Sequence, residues 1–168
     1  VCWGCGGENE DPNCFAYESQ GQSSPPAGAF QALSSGRYHT CGLKLDGSVV
    51  CWGLDTDGQS SPPAGAFQAV SAGENHTCGL KPDGSVECWG GNNNGQSNPP
   101  EEIFKAVSAG GKHTCGLKPD GSVACWGQNW SGQSTPPEGV FQSVSAGDSH
   151  TCGLKLDGSV ACWGQNWS

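Results

Sequence analysis

The sequence specifies an all-β fold, on the strength of three features. HTCGLK begins at His39, His76, His113 and His150, and CWG at Cys51, Cys88, Cys125 and Cys162, so both motifs step by 37 residues. An Asp-Gly pair lies between the two motifs in every copy, and no stretch shows helical periodicity with caps. A three-strand antiparallel unit repeated at this spacing without helices predicts a β-propeller of short blades.

The hairpin is the best-defined element. HTCGLK and the following SV-x-CWG are strand-like, and Asp46-Gly47, Asp83-Gly84, Asp120-Gly121 and Asp157-Gly158 supply the turn. A three-residue loop with Gly in the left-handed position sets Lys44 opposite Ser48, Leu43 opposite Val49, Gly42 opposite Val50 and Cys41 opposite Cys51. The cysteines then fall on a non-hydrogen-bonded pair, where Cα atoms approach to about 4.5 Å, within disulfide range. The expectation is one cross-strand disulfide per blade: Cys41–Cys51, Cys78–Cys88, Cys115–Cys125 and Cys152–Cys162. A two-residue turn would shift the register and separate them.

Composition explains the need for such crosslinks. Leu, Ile, Val and Phe together number 24 of 168 residues, beside 28 glycines, 11 prolines and 11 cysteines. This points to a small-cored, loop-rich fold in an oxidising compartment, extracellular or at the cell surface. A net charge of −9 with seven Lys and Arg disfavours a nucleic-acid or anionic-membrane surface, and no apolar run has the length of a membrane span.

In chain order, residues 1–16 form an irregular or partial blade and residues 17–168 four repeats in one domain, with hairpins at 39–53, 76–90, 113–127 and 150–164. In the first section Cys14 sits 37 residues before Cys51, and the pairing is Cys5–Cys14 with Cys2 odd, or Cys2–Cys14 with Cys5 free. VCWG at the start copies the end of a hairpin, and QNWS at Gln165–Ser168 repeats Gln128–Ser131. Both ends read as those of a fragment of a larger ring or assembly. Each unit passes through Gly-Gln-Ser into Pro-Pro, an extended connector, and then into an apolar strand: Phe30–Gly36, Phe67–Gly73, Phe104–Gly110 and Phe141–Gly147. These strands end in Ser, Ala and Gly, which suits several strands crowding around an axis.

The pattern VSAG-xx-HT-x-GLK-x-DGSV-x-x-WG-x-x-x-x-GQS resembles the regulator-of-chromosome-condensation repeat, in the compact form of the propeller-type β-lactamase inhibitor proteins. Its cysteine in each strand is similar to the ectodomains of Crinkly-type receptor kinases. The resemblance implies a ring of seven blades and a non-enzymatic protein that presents variable loops to a protein partner.

The repeated chemistry reads as architecture. His39, Cys41 and Cys51 share a strand face, as do their counterparts, but one constellation copied into every blade is a disulfide beside a structural histidine rather than a zinc site or a nucleophile. Asp55-Thr56-Asp57-Gly58 opens like a calcium loop yet lacks the later acidic ligands, so a turn is expected, with no metal and no cofactor. Trp52, Trp89, Trp126 and Trp163 alternate with the cysteine face and should pack between blades. Trp130 and Trp167 lie in the variable loop and form a candidate binding platform. Asn75, Asn129 and Asn166 stand in N-x-Ser/Thr sequons and are candidate N-glycosylation sites. The function expected is a non-enzymatic extracellular scaffold for protein–protein interaction. The alternatives are a disulfide-hardened, glycosylated subunit of an extracellular fibre or surface layer, in contact with copies of itself, and a lectin-like module that binds glycans.

Overall fold

The computed structural model describes residues 20–166. Its strands are β1 (Phe30–Ser35), β2 (His39–Lys44), β3 (Val49–Gly53), β4 (Ala69–Ala72), β5 (His76–Leu80), β6 (Val86–Gly90), β7 (Ala106–Ala109), β8 (His113–Leu117), β9 (Val123–Gly127), β10 (Phe141–Ala146), β11 (His150–Lys155) and β12 (Val160–Gly164). They form four three-stranded antiparallel sheets, each in sequence order, which are the blades of a β-propeller. The bridges expected among Cys2, Cys5 and Cys14, and Trp167, lie outside the described residues.

The hairpin register is the one the three-residue loop requires. Leu43 pairs with Val49, Gly42 with Val50 and Cys41 with Cys51, and the other blades repeat the pattern. Gly47 takes a φ of 83°, its N–H donates to Lys44 O at 3.0 Å, and Lys44 N–H donates to Ser48 O at 2.8 Å. Asp46 completes the turn by accepting from the Ser48 N–H and hydroxyl, at 3.0 and 2.7 Å. Each blade carries its disulfide, with Cα atoms 4.0 to 4.1 Å apart. In the chain-entropy account each short loop so closed contributes roughly 2–3 kcal/mol.

The inner strands differ from expectation in two blades, where β4 and β7 start at Ala69 and Ala106 rather than at the preceding Phe. The Phe backbone is engaged outside its own sheet in all three later blades, although β10 still begins at its Phe. Phe67 N–H donates to Gly47 O, Phe104 N–H to Gly84 O and Phe141 N–H to Gly121 O, each at 2.8 Å, so each Phe is tied to the turn of the preceding blade. In the first and fourth blades the register shifts directly behind the Phe, between Phe30 and Ala32 and between Phe141 and Ser143. The ring itself folds back over its own blade and meets the tryptophan of β3, β6, β9 or β12, with centroids 5.7 to 6.1 Å apart.

Blades are joined face to face. Cys41, Leu43 and Val49 of the first pack against Phe67 and Trp89 of the second in one buried cluster. At the inner edge, Ser34, Ser71 and Ser108 each accept the backbone N–H of the next inner strand, at Ala72, Ala109 and Ala146, at 2.9 Å. Within the junction, Gln59 O accepts both the Thr77 hydroxyl and the Trp89 indole N–H, at 3.0 Å each, and His39 Nε2 lies 2.7 Å from Thr77 Oγ1. Because the threonine hydrogen is committed to the glutamine carbonyl, the histidine donates. The same relay runs from His76 through Thr114 to Gln96 and from His113 through Thr151 to Gln133.

This geometry sets an expected order of stability. Thr114→Val deprives the buried His76 Nε2–H of its acceptor and should cost about 1–3 kcal/mol, whereas Trp126→Phe removes one indole bond to Gln96 O (2.9 Å) and should cost about 1 kcal/mol. Urea unfolding of the two variants checks this; a Thr114→Val protein as stable as the parent would contradict the relay.

Candidate interaction surface

Comparing the repeats with one another separates frame from decoration. Hairpin, relay and disulfide residues are nearly constant, while the pair before each His changes completely: Arg37-Tyr38, Glu74-Asn75, Gly111-Lys112 and Asp148-Ser149. The segment after CWG also changes across the first three repeats, as LDTD at 54–57, GNNN at 91–94 and QNWS at 128–131, and the fourth repeats the third as QNWS at 165–168. The fold brings the two variable segments together. Leu54 N–H donates to Tyr38 O at 2.9 Å, Gly91 N–H to Asn75 O at 2.6 Å, Gln128 N–H to Lys112 O at 2.8 Å and Gln165 N–H to Ser149 O at 2.9 Å. Variable residues therefore cluster on one face, around the axial opening that the inner-strand ends Ser35-Gly36, Ala72-Gly73, Ala109-Gly110 and Ala146-Gly147 line.

Small residues there are obligatory. A Cβ on Gly73 would lie 2.5 Å from His76 Cε1, and one on Gly147 would lie 2.5 Å from His150 Cε1. Outside this constriction, charges of alternating sign follow the blades: Arg37, Glu74, Lys112 and Asp148. The exposed Arg37 guanidinium pairs with Glu74 of the next blade and stacks 5.0 Å above the Tyr38 ring; the Glu74 carboxylate raises its pKa further. A cavity of about 330 Å³ opens between these side chains and Gln128, Trp130 and Gln165.

Of the residues singled out in the sequence, Trp130 is 86% exposed at the lip of that cavity. Asn129 is exposed, but its side chain braces the loop, accepting Ser134 N–H at 2.9 Å and donating to Thr135 Oγ1 at 2.8 Å. Asn166 is exposed, and the half-buried Asn75 donates to Asp57 Oδ2 at 3.1 Å. Asp55 accepts from Ser60 N–H at 2.7 Å and from the Ser61 hydroxyl at 2.6 Å, so one acid of the calcium-like stretch braces its own loop and the other, Asp57, is tied to Asn75. His39, His76 and His113 are fully buried, and desolvation pushes each pKa down to about 4. No group of three or more His, Cys, Asp or Glu that could hold a metal occurs among the described residues.

The buried Gln59, Gln96 and Gln133 were not anticipated from the sequence, although their recurrence in Gly-Gln-Ser was visible. Nor were the paired variable positions before each His. Their signal was change against a constant background.

Known proteins place this architecture. The model of the regulator of chromosome condensation (RCC1) repeat matches residues 30–59, 67–96, 104–133 and 141–166. Among solved structures, the chain is similar to the CRINKLY WD40 ectodomain of the Arabidopsis thaliana receptor kinase ACR4, with 34% identity over 82% of this chain and 51% of that one and a TM-score of 0.69. It is similar to the ectodomain of the Physcomitrella patens receptor kinase CR4, with 33% identity over 80% of this chain and 40% of that one and a TM-score of 0.71. Yeast RCC1 (Prp20), solved bound to Kap60, shares the fold at 20% identity, over 83% of this chain and 45% of that one, with a TM-score of 0.72. The chain thus spans about half the length, or less, of these structures. None of the curated proteins matches it. The 37-residue repeats, their register and their blades make this chain a member of the RCC1 repeat family.

Proposed function

We propose that the chain belongs to a non-enzymatic extracellular scaffold that binds a protein partner through the variable face of the propeller. The observation that carries this reading is the division of labour within each repeat: a frame of hairpin, relay and disulfide repeated almost unchanged, with the variable pair before His bonded to the segment after CWG on one face. A disulfide in each described blade and the likeness to two receptor ectodomains support the extracellular setting. The alternating charges of Arg37, Glu74, Lys112 and Asp148 would set partner choice and orientation. Asn129, Asn166 and Asn75 serve in this reading as N-glycan acceptors beside the same face.

The test is proximity labelling at the cell surface, with intact mass before and after reduction as the control for the crosslinks. The native chain should label a reproducible partner; the charge exchange Lys112→Glu/Asp148→Lys should abolish that labelling, and Leu45→Ser in the hairpin turn should leave it intact. Labelling indifferent to the exchange, or free thiols in the secreted chain, would overturn the reading.

A further inference from the structure

The loop that carries Trp130 has the same brace in three blades. In the first, Asp55 accepts Ser60 N–H at 2.7 Å; in the second, Asn92 accepts Ser97 N–H at 3.1 Å; in the third, Asn129 accepts Ser134 N–H at 2.9 Å. A second tie repeats as well, since Asp57, Asn94 and Ser131 each donate a backbone N–H to a buried Gln side chain at 2.9 Å. Between these ties the tip residue is Thr56, Asn93 or Trp130. The loop therefore closes equally over a small polar side chain, and the indole adds nothing its folding needs. An 86% exposed Trp on a braced loop is a contact surface held ready for a ligand.

The cavity beside it defines the ligand. Besides Trp130 and the Arg37–Glu74 pair, its lining includes Lys112, Gln128, Asp148, Ser149 and Gln165. The backbones of Gln128 and Gln165 are pinned to Lys112 O and Ser149 O, at 2.8 and 2.9 Å, so the walls are as fixed as the loop. Both signs of charge are present, and a strongly charged ligand of either sign would meet its own kind. Side-chain amides and a hydroxyl both donate and accept, which suits groups that do the same. A molecule with an apolar face for the indole and a rim of hydroxyls for amides and carboxylate is a pyranose ring.

We propose that this mouth between the third and fourth blades is a saccharide site, with Trp130 stacked beneath a neutral sugar ring and Gln128, Asp148, Ser149 and Gln165 taking its hydroxyls. The site does not depend on the protein-partner reading. QNWS recurs in the sequence at Gln165–Ser168.

The experiment is a glycan array probed with the oxidised 168-residue chain, with neutral β-glucan, xylan, galactan and chitin fragments in one arm and protein-linked N- and O-glycans in the other. Hits are titrated calorimetrically, and the arm that responds identifies the source of the sugar. Trp130→Ala should weaken a hit by at least about tenfold, Trp130→Phe should retain most of it, and Asp148→Asn should weaken it, with all three variants melting like the parent. Silence in both arms, or hits indifferent to Trp130→Ala, would overturn the saccharide site. Partner labelling that survives Trp130→Ala while the array is silent would sink this proposal and leave the scaffold reading standing.

Discussion

Acidification from pH 7 to pH 4 is expected to open the blade junctions well before the carboxylates of the turns titrate. In each relay the histidine is neutral with its hydrogen on Nε2, because the threonine it faces already donates to a glutamine carbonyl. Nδ1 of His39, His76 and His113 is buried with no hydrogen-bond partner, so a proton taken up there would be a desolvated charge. Burial accordingly lowers each pKa from the ordinary 6.5 to about 4; Asp55 works weakly against the shift at His39 and Asp148 at His113, while neighbouring histidines add to it at His76 and His113.

Proton counting gives the sign. Between pH 6.5 and about 4 the unfolded chain binds more protons at these histidines than the folded one, so stability falls as the pH falls through this window. The loss is on the order of 3 kcal/mol per histidine and levels off below pH 4. Three such losses rival the whole stability of a small domain, about 5–15 kcal/mol. Asp46, Asp83, Asp120 and Asp157 behave differently: hydrogen bonds from the serine two residues on hold their pKa values below 3.8, so their contribution is lost only at still lower pH. Urea midpoints measured across this range, with histidine C2 proton shifts followed in parallel, separate the two windows. Stability that is flat from pH 6.5 to 4 would refute the neutral relay.

Gly116→Ala is expected to destabilise the third blade severely although the position is in a regular strand. A Cβ there would stand 2.5 Å from Cε1 of Phe104, whose ring is 2% exposed. The ring has no room to retreat, since Trp126 holds it at 5.7 Å between centroids and its N–H is tied to the preceding blade. Overpacking of this kind costs about 1–3 kcal/mol and more where nothing can shift. Gly132→Ala is the contrast: nothing lies within 4 Å of its Cβ, but a φ of 81° imposes a backbone penalty of about 1–2 kcal/mol. Trimming the ring in Gly116→Ala/Phe104→Leu should recover part of the first loss and none of the second. A Gly116→Ala protein within about 0.5 kcal/mol of the parent would show that the ring does not seal the hairpin.

Much of this was legible in the chain because a hairpin is a local object. Asp-Gly and the three residues it closes fix which side chains face each other, and the facing cysteines are found by counting outward from the turn. The repeat then carries one correct hairpin into four. Strand alternation alone likewise separates the two faces of a blade: Cys41 and His39 look toward the next blade, and Trp52 and Thr40 look back toward Gln22 O.

The period, the strand order within a blade, the register and the disulfides are therefore properties of the chain read alone, since all of them depend on residues a few positions apart. Which atoms of neighbouring blades meet emerges only in the folded ring segment. The pairing of His39 with Thr77, the tie of Phe67 to Gly47 and the ion pair of Arg37 with Glu74 all join residues of adjacent blades, and Trp130 and Ser149 come to line one cavity. Strand propensity and alternation say which face a side chain takes but not how far one blade turns against the next. That angle is set by the packing of Phe and Trp against the disulfide face, and it places the variable residues of separate repeats around a single opening.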